Sequence, residues 1–236
     1  MDIIWIILGA SYLLSLFVQN RLRATYQKWG SIRNSANITG AATATKILDA
    51  NDMRQISVRA VQGKLSDHYN PRDKTIQLSE PVYGVPSVAA MAVAAHETGH
   101  AIQDKAGYWP LAVRTSLAPF VNAAARFGIP AAVIGLFIGA PLLIQVGVVG
   151  YIGALVFQFL TLPLEFDASK RAIAQLDRMQ LLNDEEEKGV RSMLRAAAMT
   201  YVAGAASSAA YILYLALMGG RALLRKPPPV PPPRLP

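Results

Sequence analysis

The chain has 236 residues, enough for one ordinary domain or for a smaller domain with several membrane spans. Its composition is 53% hydrophobic and only 16% charged, with a mean hydropathy of +0.29, against the roughly 25% charge usual in soluble domains, so it points to lipid contact. The net charge of +8 comes with no Arg-rich helix and no RNP-like aromatic pattern, which excludes a nucleic-acid partner, and the absence of cysteine excludes disulfides, thiolate nucleophiles and Cys-type metal sites.

Residues 1–20 read as an N-terminal transmembrane anchor. Ile3 to Val18 is uncharged, and the segment runs into Gln19-Asn20-Arg21 with no basic start and no small-x-small cleavage site, which disfavours a signal peptide. Residues 21–116 read as a water-facing catalytic region. A helix is predicted from Ile38 onward with Thr39 as N-cap; Ile56 to Val61 and Thr75 to Leu78 alternate as short strands do. Tyr69 to Asp73 is turn chemistry between them, and Ser87 caps a long Ala-rich helix running to about Gln103.

Residues 117–163 read as a transmembrane hairpin, Leu117 to Ile138 and Leu142 to Leu162, turning at Gly139-Ala140-Pro141. Arg126 in the first arm either snorkels, finds a partner, or marks a later start of the span. Residues 164–200 are polar and helical. Residues 201–220 form a candidate fourth membrane segment, rich in small residues that suit close packing, although a buried soluble helix would read the same way. The tail, 221–236, ends in a proline-rich stretch expected to be extended and solvated, or to recruit a partner.

The chemistry concentrates in His96-Glu97-Thr98-Gly99-His100. Four residues apart on a helix, both imidazoles project from one face and can hold one Zn²⁺, while Glu97 points to a different part of that face, where a carboxylate reaches the reacting water. Of three histidines in the chain, two lie here, which argues against chance. Catalytic zinc usually has three protein ligands, so the third must be His68, an Asp or a Glu.

Ala94 to Gln103, together with Leu162 to Ala172 and Leu65 to Ser79, resembles the neutral zinc metallopeptidases of bacterial membranes, related in pattern to the gluzincins. The resemblance implies a small α/β zincin-like catalytic region in a mainly α integral membrane protein, and a third ligand on a later helix. The matching position is Glu165, and a hairpin that returns the chain to the side it left would bring it back near His96 and His100. Asp167 is the rival third ligand. Gluzincins commonly place an Asp where this chain has Ser169, so the group orienting a ligand histidine is open. Asp104, one helical turn after His100, is either that acceptor or a surface residue. His68 reads as a transition-state donor or as a loop histidine with a local hydrogen bond. Tyr83, Tyr108 and Arg171 are candidate oxyanion donors. Asp73 to Ser79 is either an edge strand that pairs with substrate backbone or an ordinary inner strand.

The expected function is hydrolysis of peptide bonds by zinc-activated water, with Glu97 as general base and a peptide or membrane-protein substrate. Two rivals are a zinc-dependent amidase or deacylase and a noncatalytic membrane scaffold. Arg21, Arg23, Lys28 and Arg33 follow the first span, so the positive-inside rule makes this a multi-pass cell-membrane protein with its catalytic site in the cytoplasm. Four spans would then export both termini, in conflict with the basic tail bearing Arg221, Arg225 and Lys226, unless the fourth segment is re-entrant.

Overall fold

A computed structural model describes residues 2–224; the proline-rich end of the tail lies outside the described residues. Seven helices and three short strands follow in chain order: α1 (Asp2–Gly30), α2 (Gly40–Ala50), β1 (Ser57–Val61), β2 (His68–Asn70), β3 (Thr75–Ser79), α3 (Glu80–Tyr83), α4 (Val88–Lys105), α5 (Trp109–Ile138), α6 (Pro141–Arg178) and α7 (Asp184–Leu224). The chain is therefore mainly helical with one small sheet. Four helices, α1, α5, α6 and α7, are long and apolar enough to cross a membrane.

The caps fall where side-chain chemistry puts them. Thr39 Oγ1 accepts from the Ala42 N–H and starts α2, and Ser87 Oγ accepts from the Ala90 N–H and starts α4. Gly139 ends α5 at φ 68°, a left-handed conformation that costs glycine little, and Pro141 then opens α6, so the hairpin turn matches its sequence signature.

The long helices ignore the boundaries that polarity suggests. α1 continues past Arg21 to Gly30, and α6 passes through Pro163 without a break, joining the apolar arm to the polar segment that carries Glu165. The segment from 164 to 200 is not one helix; it breaks at 179–183 and restarts as α7. α7 is unbroken through the fourth apolar segment, which therefore is not a re-entrant loop. A helix already paired along its backbone loses nothing on passing from water to lipid, so composition changes without helix ends.

The sheet order is β1-β3-β2, with β1 parallel and β2 antiparallel to β3. β3 is thus the inner strand, buried at Thr75, Ile76, Leu78 and Ser79, and the edge-strand expectation for Asp73 to Ser79 fails because both its edges are already paired. The turn expected over Tyr69 to Asp73 is present at residues 71–74, but its first two residues belong to β2, which is three residues long and shows no alternation that a sequence pattern could register.

α4 is buried nearly all round. Its alanines allow two apolar clusters to form against it, one with Trp29, Leu176 and Val190, the other with Leu48, Ile76 and Val82. The closest approach is to α6: a Cβ on Gly99 would stand 2.4 Å from the Ala168 carbonyl oxygen. Only glycine lets the two backbones meet there, and that contact lies beside the histidines. Arg126 is exposed midway along α5, against the Phe127 ring at 5.9 Å, with no ion pair among the described residues.

Candidate metal centre

Three side chains from two helices converge. His96 and His100 share one face of α4, their rings edge to face with centroids 4.8 Å apart, and Glu165 comes from α6 across the Gly99 contact. One ligand atom of each lies within 4.8 Å of the others. Glu165 Oε2 is 3.1 Å from His96 Nε2 and 3.6 Å from His100 Nε2. Arg114 of α5 faces the other oxygen, Oε1, at 2.7 Å, so Glu165 is buried with one oxygen against a guanidinium and one against the imidazoles.

The far side of the His100 ring selects its tautomer. The Gln103 amide nitrogen donates to the Leu164 carbonyl (2.9 Å) and to Asp167 Oδ2 (2.8 Å), which turns its oxygen toward His100 Nδ1 at 2.9 Å. An acceptor there places the proton on Nδ1 and leaves the Nε2 lone pair facing Glu165. Ser169 Oγ takes the same position toward His96 Nδ1, at 3.2 Å. Burial works against a charged His96, but its hydrogen bond to Glu165 and the charges of Glu97 and Glu165 outweigh it, so the ring keeps a proton to higher pH than a free histidine.

Two imidazole lone pairs and a carboxylate oxygen aimed at one point repel unless something positive lies between them. A proton satisfies one such pair; three donors of the N₂O set, fixed from behind, suit Zn²⁺ and leave a fourth position open.

Glu97 is buried and one oxygen accepts the Tyr69 N–H of β2 at 2.9 Å. It lines two adjoining cavities of about 210 and 200 Å³, which also share His96, Glu165, Asp67 and Tyr201. One opens past His68, Arg114 and Thr115, the other past Leu22, Leu65 and Met193.

Several expected roles move. Asp167 is not one of the converging donors; it accepts from Gln103 and from Arg171 Nε at 2.6 Å. Asp104 does not reach His100; it accepts from the Tyr69 hydroxyl at 2.6 Å and pairs with Lys74. His68 lies on β2 at the cavity wall, with its Nδ1 2.9 Å from the Ser66 carbonyl oxygen. Tyr83, Tyr108 and Arg171 line neither cavity, Arg171 instead facing the Tyr108 ring. Among the residues that line them and that sequence reading passed over are Arg114, Tyr201 and Asp67, whose carboxylate accepts from the Ser79 N–H at 2.7 Å. Asp67 protonates above the usual aspartate range because burial dominates and the Glu97 charge adds to it, against the Ser79 hydrogen bonds.

The chain is similar to known proteins along most of its length. The profile of the family described as "Putative neutral zinc metallopeptidase" matches residues 4–219. The chain is 39% identical over 192 residues to "Putative membrane protease YugP" of Bacillus subtilis (strain 168), covering 81% of this chain and 85% of that protein. No solved structure matches. A match that runs from α1 into α7 takes in the candidate metal centre and all four apolar helices, and the chain belongs to the family so described.

Proposed function

We propose that the protein is a membrane-embedded zinc metallopeptidase in which His96, His100 and Glu165 hold the metal and Glu97 is the general base. The observation that carries this reading is the convergence of the three donor atoms within 4.8 Å, beside cavities that Glu97 also lines. Zinc held there would lower the pKa of a water molecule toward about 7 and polarise the scissile carbonyl. The protein's own part is to place and move protons. The Tyr69 N–H holds one Glu97 oxygen; the carboxylate takes the proton of the attacking water and passes it to the departing amine. Arg114 and Tyr201 stand beside the ligand carboxylate and replace the expected oxyanion candidates. Gln103 and Ser169 keep the rings turned toward the metal.

The four apolar helices are read as membrane spans. The end of α1, the start of α5, the end of α6 and the start of α7 all pack near α4, so the centre sits at the mouth of the bundle, within reach of a substrate's membrane-proximal segment. The basic residues Arg21, Arg23, Lys28 and Arg33 after the first span support a cytoplasmic mouth. Incubating zinc-loaded protein with a peptide library and with N-acylated amines tests the reaction: cleavage of peptide bonds that stops on chelation and returns with zinc supports it, and turnover of the acylated amines alone makes the protein a deacylase.

A further inference from the structure

A further cavity shares no lining residue with the two at the candidate metal centre. It has a volume of about 580 Å³ and runs between α1 and α7. The two helices are antiparallel, as the Ser15–Ser207 hydroxyl contact at 2.9 Å and the Trp5–Tyr214 ring pair at 5.6 Å show, so positions along them can be ranked by depth. At the apolar end the walls are Phe17 and Met199. One helical turn toward the catalytic region come Arg21 and Arg195, and further turns bring Arg191 and Lys188. All four cations are exposed and no acidic side chain lines the groove.

Lys188 and Arg191 have carboxylate partners on their own helix, Glu185 and Glu187. Arg21 and Arg195 have no carboxylate within 4.0 Å among the described residues. They face one groove from two helices, with an apolar wall on the membrane side and cations on the water side. Two like charges held at one groove without a counterion favour an anion between them, and a forked guanidinium suits a phosphate. A free phosphate ion would use the arginines but not Phe17 or Met199. A phospholipid uses both, because its own polarity runs in the same direction as the groove.

We infer that this groove binds an anionic phospholipid of the leaflet next to the catalytic region, its phosphate between Arg21 and Arg195 and an acyl chain along Phe17 and Met199. The site rests on the membrane reading given above and is independent of the proposed chemistry at the metal. Lys188 and Arg191, further out, add attraction to the anionic surface.

The test uses the full-length protein reconstituted in an equimolar mixture of phosphatidylcholine and phosphatidylglycerol, followed by gentle detergent release and native mass spectrometry of the lipids that stay bound. Phosphatidylglycerol is expected to be retained over phosphatidylcholine. Arg21→Gln with Arg195→Gln should lower that preference, by roughly fivefold for each arginine. Arg21→Lys with Arg195→Lys should keep most of it, and Arg54→Gln with Arg59→Gln, exposed cations outside the groove, should leave it unchanged. Equal retention of both lipids by the wild type, or an undiminished preference in the Gln pair, overturns the site. So does displacement of the lipid by inorganic phosphate or by a soluble acidic peptide at equal concentration. If the Gln pair does not fold, Arg21→Gln and Arg195→Gln made singly decide, each expected to lower the preference by roughly fivefold, and an undiminished preference in both overturns the site. Release of the protein from membranes by alkaline carbonate would remove the membrane reading and the lipid site together, whereas an integral protein without lipid preference loses only the site.

Discussion

Ser169 Oγ stands 3.2 Å from Nδ1 of His96, on the ring edge opposite Glu165. A hydroxyl at this position can accept a hydrogen bond from Nδ1–H and turn Nε2 toward a metal, the same service that a carboxylate would give with more charge. Ser169→Ala is expected to weaken zinc binding about tenfold, and Ser169→Asp to bind at least as tightly as wild type. Competition with a chromogenic chelator measures both. Unchanged affinity in the Ala variant would mean that the ring is oriented by packing alone.

Zinc stoichiometry should fall from about one per chain to a small fraction in His96→Ala, in His100→Ala and in Glu165→Ala, because a three-donor site loses most of its affinity with any donor. Asp167→Ala should stay loaded, since its carboxylate serves Gln103 and Arg171. Elemental analysis of purified protein reads this directly, and a full complement in Glu165→Ala with loss in Asp167→Ala would hand the third position to Asp167.

Glu97→Gln keeps the shape of the side chain and an oxygen for the Tyr69 N–H, so the variant should fold and hold zinc. It cannot take the water proton as general-base catalysis requires, and its peptide hydrolysis should drop by roughly 10²-fold or more. A metal-loaded variant that cleaves at the wild-type rate would remove Glu97 from the mechanism.

Gly99→Ala should destabilise the protein by about 1–3 kcal/mol, since the added methyl meets the Ala168 carbonyl oxygen and α4 must move from α6. Thermal unfolding in detergent gives the shift. The same displacement separates the histidines from Glu165, so zinc affinity should fall in step with the melting temperature.

The Asp67 carboxyl gives a pH signature. Its pKa is raised in the folded protein above the ordinary 3.8, so the stability it contributes is complete below pH 3.8 and is lost as pH rises through the higher folded value. Asp67→Asn retains an oxygen for the Ser79 N–H and removes this dependence. The variant's melting temperature should therefore gain on that of the wild type as pH rises from about 4 to about 6. A constant difference across that range would show that the carboxyl titrates alike in both states.

The helical parts of the chain were legible because their signals are local. Thr39 and Ser87 cap as expected, the Gly139-Pro141 turn closes the hairpin, and the spacing of His96 and His100 puts both rings on one face of α4. The meeting of Glu165 with these rings followed from the family resemblance and from the return of the hairpin. What stayed hidden depends on contacts between distant segments. Gln103 lies one turn from His100, yet only the α6 groups Leu164 and Asp167 turn its oxygen toward the ring. Arg114 looks like an ordinary charge near the start of a span until Glu165 is placed beside it. β3 became the inner strand because β2, too short to carry a pattern, pairs with it from within an apparent turn.

The unbroken run of α6 from Pro141 to Arg178 has a consequence for the order of synthesis. A nascent chain that has reached Ile138 already carries both histidines and Glu97, but no third donor; Glu165 arrives only with the second arm of the hairpin, and Tyr201 later still with α7. A chain cut short before α6 would hold an incomplete donor set however well its sheet and α4 had folded. The proposed donor set is thus complete only once the hairpin has been synthesised.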